Sequence, residues 1–558
     1  MSLSQGQPIL VLKEGATQTK GREALRNNLE AARVVADLVR SSLGPRGMDK
    51  MLVDSLGDVT ITNDGATMLK QLDVQHPAAK MMVEISKATD SEVGDGTTSA
   101  VVLAGALLEK AEELLDKDVH PSLIVDGYQA ASEKALKELA SLAQKISPED
   151  KNWLKKVAKT SLASKLVSQD DESLSDIIVN ALSQVAEKVG DAYKVDIDNV
   201  KVEKKPGRSL SETALIKGIV VDKEVVHAGM PKKVEKAKIA LINAPLEIEK
   251  TEISAEIRIN DPTQMKAFLD EESRMLKEMV DKITASGANV VFCQKGIDDI
   301  AQHFLAKAGV LAVRRVKESD MSRLAKSTGG RIVTNLDDLT STDLGQAQLV
   351  EERKIEEDKW VFVEGAKNPK AVTVLVRGGS QRVVDEAERA LHDAIMVVKD
   401  TLEKPSVVVG GGAVESEIAY RIREWARSLS GREQLSATAF ADALETIPLS
   451  LAVNAGMDPI DTQVELRAAH GKKSLSTGVH VLAGKVDDLA KHDIYEPAAV
   501  KSQIIKSATE CAIMILRIDD VIAAKGTSKS GGEGAGAGMG GGMGGMGGMG
   551  GMGGMGGY

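Results

Sequence analysis

The sequence predicts a multidomain protein in which a mostly α-helical, discontinuous domain carries an α/β unit inserted in its middle. Three observations predict this. Apolar residues recur at helical spacing through the first 150 residues, and Ala-rich helical sequence returns in the last third. Between these parts, beyond about Lys217, short alternating apolar runs mark strands. Glycine-containing loops suited to a ligand occur in both terminal parts, so the simplest layout joins the two ends in one domain.

Taken in order, Ile9–Leu12 reads as a short strand. From Gly21 to Leu43 the positions Leu25, Leu29, Ala32, Val35, Val39 and Leu43 share one helical face, and Gly44-Pro45-Arg46-Gly47 stops the helix. Lys50–Asp54 and Val59–Thr62 predict a hairpin turned at Leu56-Gly57-Asp58. It leads to Asn63-Asp64-Gly65 and another helix; Pro77 opens the next, and residues 97–116 form a long one. In the middle, strands are expected at Ile219–Val221, Ile239–Ile242, Val290–Phe292 and Leu311–Val313. A helix is expected from about Pro262 to Ile283. Its Met265, Phe268, Leu269, Met275, Leu276 and Met279 follow the charged stretch Glu247–Asp261, and fit either a helix on its own core or an exposed arm meeting another chain. Two strand–glycine–helix units follow, Val372–Val376 into Arg377-Gly378-Gly379 and Ser406–Val409 into Gly410-Gly411-Gly412. Residues 530–558 are dominated by Gly-Gly-Met triplets, which bury no core and predict a disordered tether.

Composition narrows the function. A net charge of −11 argues against wrapping nucleic acid, which asks for a basic surface. Cys293 and Cys511 make neither a disulfide framework nor a four-ligand zinc site, which fits a reducing cytoplasm. No stretch has the signature of a secretory leader or approaches the length of a membrane span. Hydrophobic residues make up 42% and aromatics only 2%, so the cores must be aliphatic.

The chemistry centres on Val93-Gly94-Asp95-Gly96-Thr97-Thr98-Ser99, which runs into an apolar helix. Glycines let backbone approach a ligand, and a helix start presents free N–H groups to an anion. Asp95 suits a hard cation such as Mg2+, which takes one or two carboxylates and the phosphates of its nucleotide. The same stretch also fits a plain helix cap after a glycine turn. No Walker A loop is present, since Gly471-Lys472-Lys473 fails at its last position. A dinucleotide fingerprint fails at Val409–Glu415, where Glu415 takes the third glycine's place. Asp64 and Asp393 complete a set of aspartates that could orient water for phosphoryl transfer, although each taken alone reads first as a cap or a solvated surface charge.

Several long motifs, in order and spread over the whole chain, resemble the group II chaperonins, and within them the archaeal thermosome subunits. They are Ser42–Lys50, Thr62–Thr67, Gly94–Ser99, Val384–Ala394, Val409–Ala413 and Asn454–Asp461, and the Gly-Gly-Met tail is typical of the archaeal members. The resemblance implies an ATP-driven folding chamber of two stacked rings, each of eight or nine identical or sister subunits, acting on unfolded proteins. Its equatorial domain would span 1–150 and 405–529, followed by the tail; the intermediate domain 151–217 and 370–404; and the apical domain 218–369. A helical protrusion at about 246–277 would close the cage.

Carried over position by position, the resemblance implies that Leu43, Gly44 and Pro45 line the nucleotide, ATP or ADP. Asp95 would ligate Mg2+, while Gly96, Thr97, Thr98 and Ser99 hold phosphates. Asp64 and Asp393 would activate water, and Ser164 with Lys165 would sense the γ-phosphate. Gly411 would pack on the nucleotide, and Glu496 with Lys501 would reach its ribose and base. One departure is Gly478-Val479-His480, where the family usually has Gly-Ile-Asp or a similar polar turn; His480 marks the base pocket as the part that differs.

Overall fold

The computed structural model describes residues 17–190, 192–248, 262–367 and 370–523. The strand expected at Ile9–Leu12, most of the charged stretch Glu247–Asp261 and the Gly-Gly-Met tail lie outside the described residues. The protein is multidomain, about half helical, with several small sheets.

The largest core gathers apolar side chains from Leu25 to Val157 and again from Val397 to Leu516. At its centre lies the helix Thr97–Leu115, whose residues Ala100 to Leu108 are all buried. A helix apolar on every face must be enclosed on every face. Here Gly21–Arg40, Pro77–Val93, Gly431–Asn454 and Ala498–Leu516 pack around it. Gly21–Arg40 is the opposite case: one face is buried, the Leu25, Leu29, Ala32, Val35 and Val39 stripe with Ala24, Asn28 and Ala36 beside it. The expected hairpin forms as Lys50–Val53 against Val59–Thr62, antiparallel.

A second core surrounds a seven-stranded sheet. Leu311–Val313, Val290–Cys293 and Lys233–Ile242 run parallel, with Val290 opposite both Ile239 and Leu311. Val290–Cys293, Leu311–Val313 and the Ile239–Ile242 end of the third strand are apolar and buried on both faces, as parallel strands under helices require. The sheet continues antiparallel through Gly345–Ile355, Asp358–Glu364 and Gly218–Val221. The helix Pro262–Ala285 divides along its length. Met265, Phe268, Leu269 and Met275 are exposed, whereas Leu276, Val280 and Ile283 enter the core.

A third core lies between the others in sequence. Val372–Gly378 pairs parallel with Val200–Pro206 and antiparallel with Ala214–Ile216. The helices Lys151–Leu162, Asp171–Val185 and Gln381–Glu403 contribute to it. Two of these helices also reach the first core, through Val157 and Val397. Among the described residues no helix is long and apolar enough to cross a membrane.

Candidate functional site

A cavity of about 830 Å3 opens where the first and third cores meet. Its walls include Leu43, Gly44, Pro45, Asp95, Gly96, Ser99, Ser164, Gly411, Glu496 and Lys501, ten of the residues expected from sequence. A recess beside it is lined by Gly96, Thr97, Thr98, Ser99, Ser164 and Lys165. Asp64 and Asp393 line neither; each stands one residue behind the wall, Asp64 against Thr97 and Asp393 against Lys165.

Local sequence explains each placement. The helix Pro77–Val93 ends at Gly94, and Thr97–Leu115 starts after Gly96, both glycines in the left-handed region. A Cβ on Gly96 would also come within 2.6 Å of Ile504 Cδ1, so only glycine permits this close turn. The turn leaves the amide end of the buried helix facing the recess, a favourable position for an anion. Asp95 Oδ1 accepts from the Gly96 amide at 2.6 Å, and Oδ2 from the Ser161 hydroxyl at 2.9 Å. The loop Leu43-Gly44 is held from the other end of the chain: Asn454 donates to the carbonyls of Arg40 and Leu43 at 3.0 and 2.9 Å.

Asp64 is an N-cap. Its carboxylate accepts from Thr67 N at 2.8 Å and Ala66 N at 3.4 Å, opening the helix Gly65–Gln71. The Thr97 hydroxyl donates to it at 3.3 Å. Burial pushes this carboxyl up, but the Lys165 charge and the Thr67 and Ala66 bonds hold it below its ordinary value.

Lys165 follows the helix Lys151–Leu162, and Asn63 fixes the segment by donating to the Ser164 carbonyl at 2.7 Å. Its ammonium lies 2.7 Å from Asp393 Oδ2, both side chains being buried. Burial opposes the lysine's charge, yet Asp393, Asp64 and Asp95 outweigh it and raise its pKa above the usual lysine range. Asp393 is held well above the carboxylate range, chiefly by burial, with the Asp64 and Asp95 charges adding to it. One cation thus serves three carboxylates in a buried cluster, and strongly perturbed ionisable groups beside a cavity mark a candidate functional site.

At the far end, His480 and Leu482 line the cavity with His492 and Tyr495. His480 Nδ1 accepts from Ala483 N at 3.0 Å, and its ring meets His492 edge to face at 4.3 Å between centroids. Nearer the middle, Lys501 lies 2.6 Å from Glu496 Oε2 and 2.7 Å from Glu415 Oε1. Sequence reasoning missed Glu415, Ser161, Asn63 and Asn454 as parts of this site. Glu415 did leave a signal, the carboxylate that spoils the dinucleotide fingerprint. The others are ordinary polar residues whose partners come from distant segments.

Among the described residues no cluster of three His, Cys, Asp or Glu could hold a metal by itself. A nucleotide-bound Mg2+ asks for less, since one carboxylate on the cavity wall and the phosphates can share it. Asp95 is such a carboxylate.

The geometry is that of a glycine-lined cavity against a helix start, with buried acids behind one end. The sequence profile of the TCP-1/cpn60 chaperonin family matches residues 35–526, and the chain belongs to that family. Thermosome subunit alpha of Archaeoglobus fulgidus is 59% identical over 95% of this chain and 98% of its own length. Thermosome subunit beta of Thermococcus kodakarensis is 58% identical over 96% of this chain and 98% of its own. Thermosome subunit beta of A. fulgidus is 58% identical over 97% and 99%. A chaperone role follows from the family.

Proposed function

We propose that this chain is an ATP-hydrolysing chaperone subunit that captures unfolded proteins and encloses them in a double-ring chamber with a built-in lid. The observation that carries this reading is the cavity itself. Asp95, the Thr97–Leu115 helix start and Lys165 line the recess, with Asp64 and Asp393 just behind its wall. The backbone amides and hydroxyls of Gly96 to Ser99 hold phosphate oxygens, and Asp95 holds Mg2+. When bound, that ion neutralises charge developing on the phosphates. Asp64 and Asp393 orient the attacking water and take its proton, while Lys165 meets the γ-phosphate as a point charge. Leu43, Gly44, Pro45 and Gly411 enclose the nucleotide, and Glu496 with Lys501 reaches its ribose and base.

In this reading residues 1–150 and 405–529 form the equatorial domain, 151–217 and 370–404 the intermediate domain, and 218–369 the apical domain. Asp393 belongs to the intermediate domain, so nucleotide binding and domain position are coupled through it. ATP favours the closed arrangement over the open one and shifts the population accordingly. The exposed Met265, Phe268, Leu269 and Met275 support a protrusion, about 246–277, that meets neighbouring chains. Identical or sister subunits, eight or nine to a ring, complete the chamber. A cytoplasmic location agrees with the two free, buried cysteines.

Native mass measured together with ATPase activity tests the proposal. Two such rings of a 59.2 kDa chain make a particle of about a megadalton. The Asp64→Ala, Asp393→Ala double variant is expected to assemble and bind ATP but hydrolyse it poorly. A monomer, or wild-type turnover in the double variant, would overturn it.

A further inference from the structure

Behind the cavity wall lies a carboxylate that the proposed function leaves without a task. Glu415 is 3% exposed and sits in the first turn of the helix Ala413–Ala426. Neither carboxylate oxygen has a hydrogen-bond donor of good geometry; its partner is the Lys501 ammonium, 2.7 Å from Oε1. Around the two lie apolar side chains, among them Leu103, Ile418, Leu444 and Ile504. A charge so enclosed is tolerable only when paired.

Lys501 is itself buried, and its second acidic partner is Glu496, 2.6 Å away on the cavity side. Glu496 lies in the strand Tyr495–Pro497, paired to Ser406–Val409, and its side chain lies on the glycine loop. A Cβ on Gly410 would come within 2.5 Å of its Oε1. Unlike Glu415, it lines the large cavity. One ammonium therefore stands between two carboxylates, one sealed behind the wall and one facing the ligand. A simple Lys501–Glu496 pair would be neutral and closed on itself. With Glu415 drawing on the same ammonium, the trio carries an excess negative charge, and the part of it that faces the cavity is Glu496.

We propose that Glu415 is a positioning residue for nucleotide recognition: it anchors Lys501 from behind, so that Glu496 stays an open acceptor for the vicinal hydroxyls of a ribose. This rests on the reading of the cavity as a nucleotide site. Glu415 touches no ligand and acts through Lys501. Its effect is on binding of the sugar, not on the phosphate chemistry at the other end.

The test is Glu415→Gln in the full-length assembly, which keeps the side chain's size and removes its charge. ATP and 2′,3′-dideoxy-ATP are compared by calorimetry and by steady-state ATPase. Lys501 is then left with Glu496 as its acidic partner, and the closed pair forms. KM and Kd for ATP are expected to rise about tenfold with kcat within about twofold, the pattern of lost binding that is uniform between ground and transition states. The dideoxy nucleotide is expected to bind both proteins alike, because it lacks the hydroxyls at issue. Equal weakening of the two nucleotides, or of neither, would overturn the inference. Should E415Q fail to assemble, Glu415→Asp keeps the charge but shortens its reach; a selective loss for ATP supports the proposal, and an unselective or absent loss sinks it. A wild-type protein that binds neither nucleotide would instead sink the nucleotide reading itself.

Discussion

The ammonium of Lys165 lies 2.7 Å from Asp393 Oδ2, although the two residues come from segments more than two hundred positions apart. Asp393 rides on the helix Gln381–Glu403, and Lys165 follows Lys151–Leu162. The contact fixes the acid one residue behind the cavity wall. Asp393→Asn keeps the shape and removes the proton acceptor. ATPase turnover is expected to fall about a hundredfold, the usual worth of a general base, with ATP affinity nearly unchanged. Lys165→Ala is the harsher change for folding, because it strips the buried Asp393 of its cation at a cost of about 3–5 kcal/mol. Urea denaturation of both variants checks the ordering, and adding Asp393→Ala to Lys165→Ala should recover part of the loss.

Asp64 has two tasks that substitution can separate. As an N-cap it accepts from Thr67 and Ala66; as an acid it sits beside Thr97. Asparagine caps a helix about as well as aspartate, whereas alanine forfeits about 1 kcal/mol. Asp64→Asn should therefore retain stability and lose turnover, while Asp64→Ala loses both. An Asp64→Asn protein with full ATPase activity would leave the residue a cap and nothing more.

Gly412 joins the strand Ser406–Val409 to the helix Ala413–Ala426 at φ +79°, and a Cβ there would come within 2.5 Å of Pro448 Cβ and 2.9 Å of its Cα. Pro448 lies inside the helix Gly431–Asn454 and cannot move without its backbone. Gly412→Ala should cost about 2–4 kcal/mol from strained backbone and overpacking together. It should also weaken ATP binding, since Gly412 lines the cavity. Denaturation midpoints and nucleotide titration read the two effects separately.

Periodicity carried much of the fold because each long element has a clear face or none. Gly21–Arg40 buries one stripe, and Thr97–Leu115 is apolar throughout; both patterns are written in consecutive residues. The strands at Ile239–Ile242, Val290–Phe292 and Leu311–Val313 were legible for the same reason. Gly345–Ile355 was not, since its Glu351, Glu352, Arg353 and Lys354 lie in a long antiparallel ribbon and carry no apolar alternation. In the site, glycine loops and aspartates at helix starts were visible as motifs. That Thr97 would reach Asp64, or that Lys165 would stand between Asp393 and the recess, depends on segments brought together only by folding. Glu415 was noticed as a misfit in a glycine pattern, and its partner Lys501 lies on another helix altogether.

Asp400 gives the fold a pH dependence whose sign follows from its surroundings. It lies near the end of Gln381–Glu403, 6% exposed, with Oδ2 unpartnered and Lys399 at 3.6 Å from Oδ1. Burial raises its pKa to about 6, and the Lys399 and Lys404 charges only partly offset this. In the unfolded chain the same carboxyl titrates in the ordinary range near 3.8. The folded state therefore binds a proton that the unfolded state has released between these values, and stability falls as pH rises through that window. Above about pH 6 the folded protein carries the full cost of an ionised, poorly paired carboxylate, about 1–2 kcal/mol once solvent screening is discounted. Asp400→Asn removes that cost. Its urea midpoint should exceed that of the parent at pH 8, and the advantage should shrink to nothing by pH 4. An equal gain at both pH values would mean that shape, not charge, governs this position.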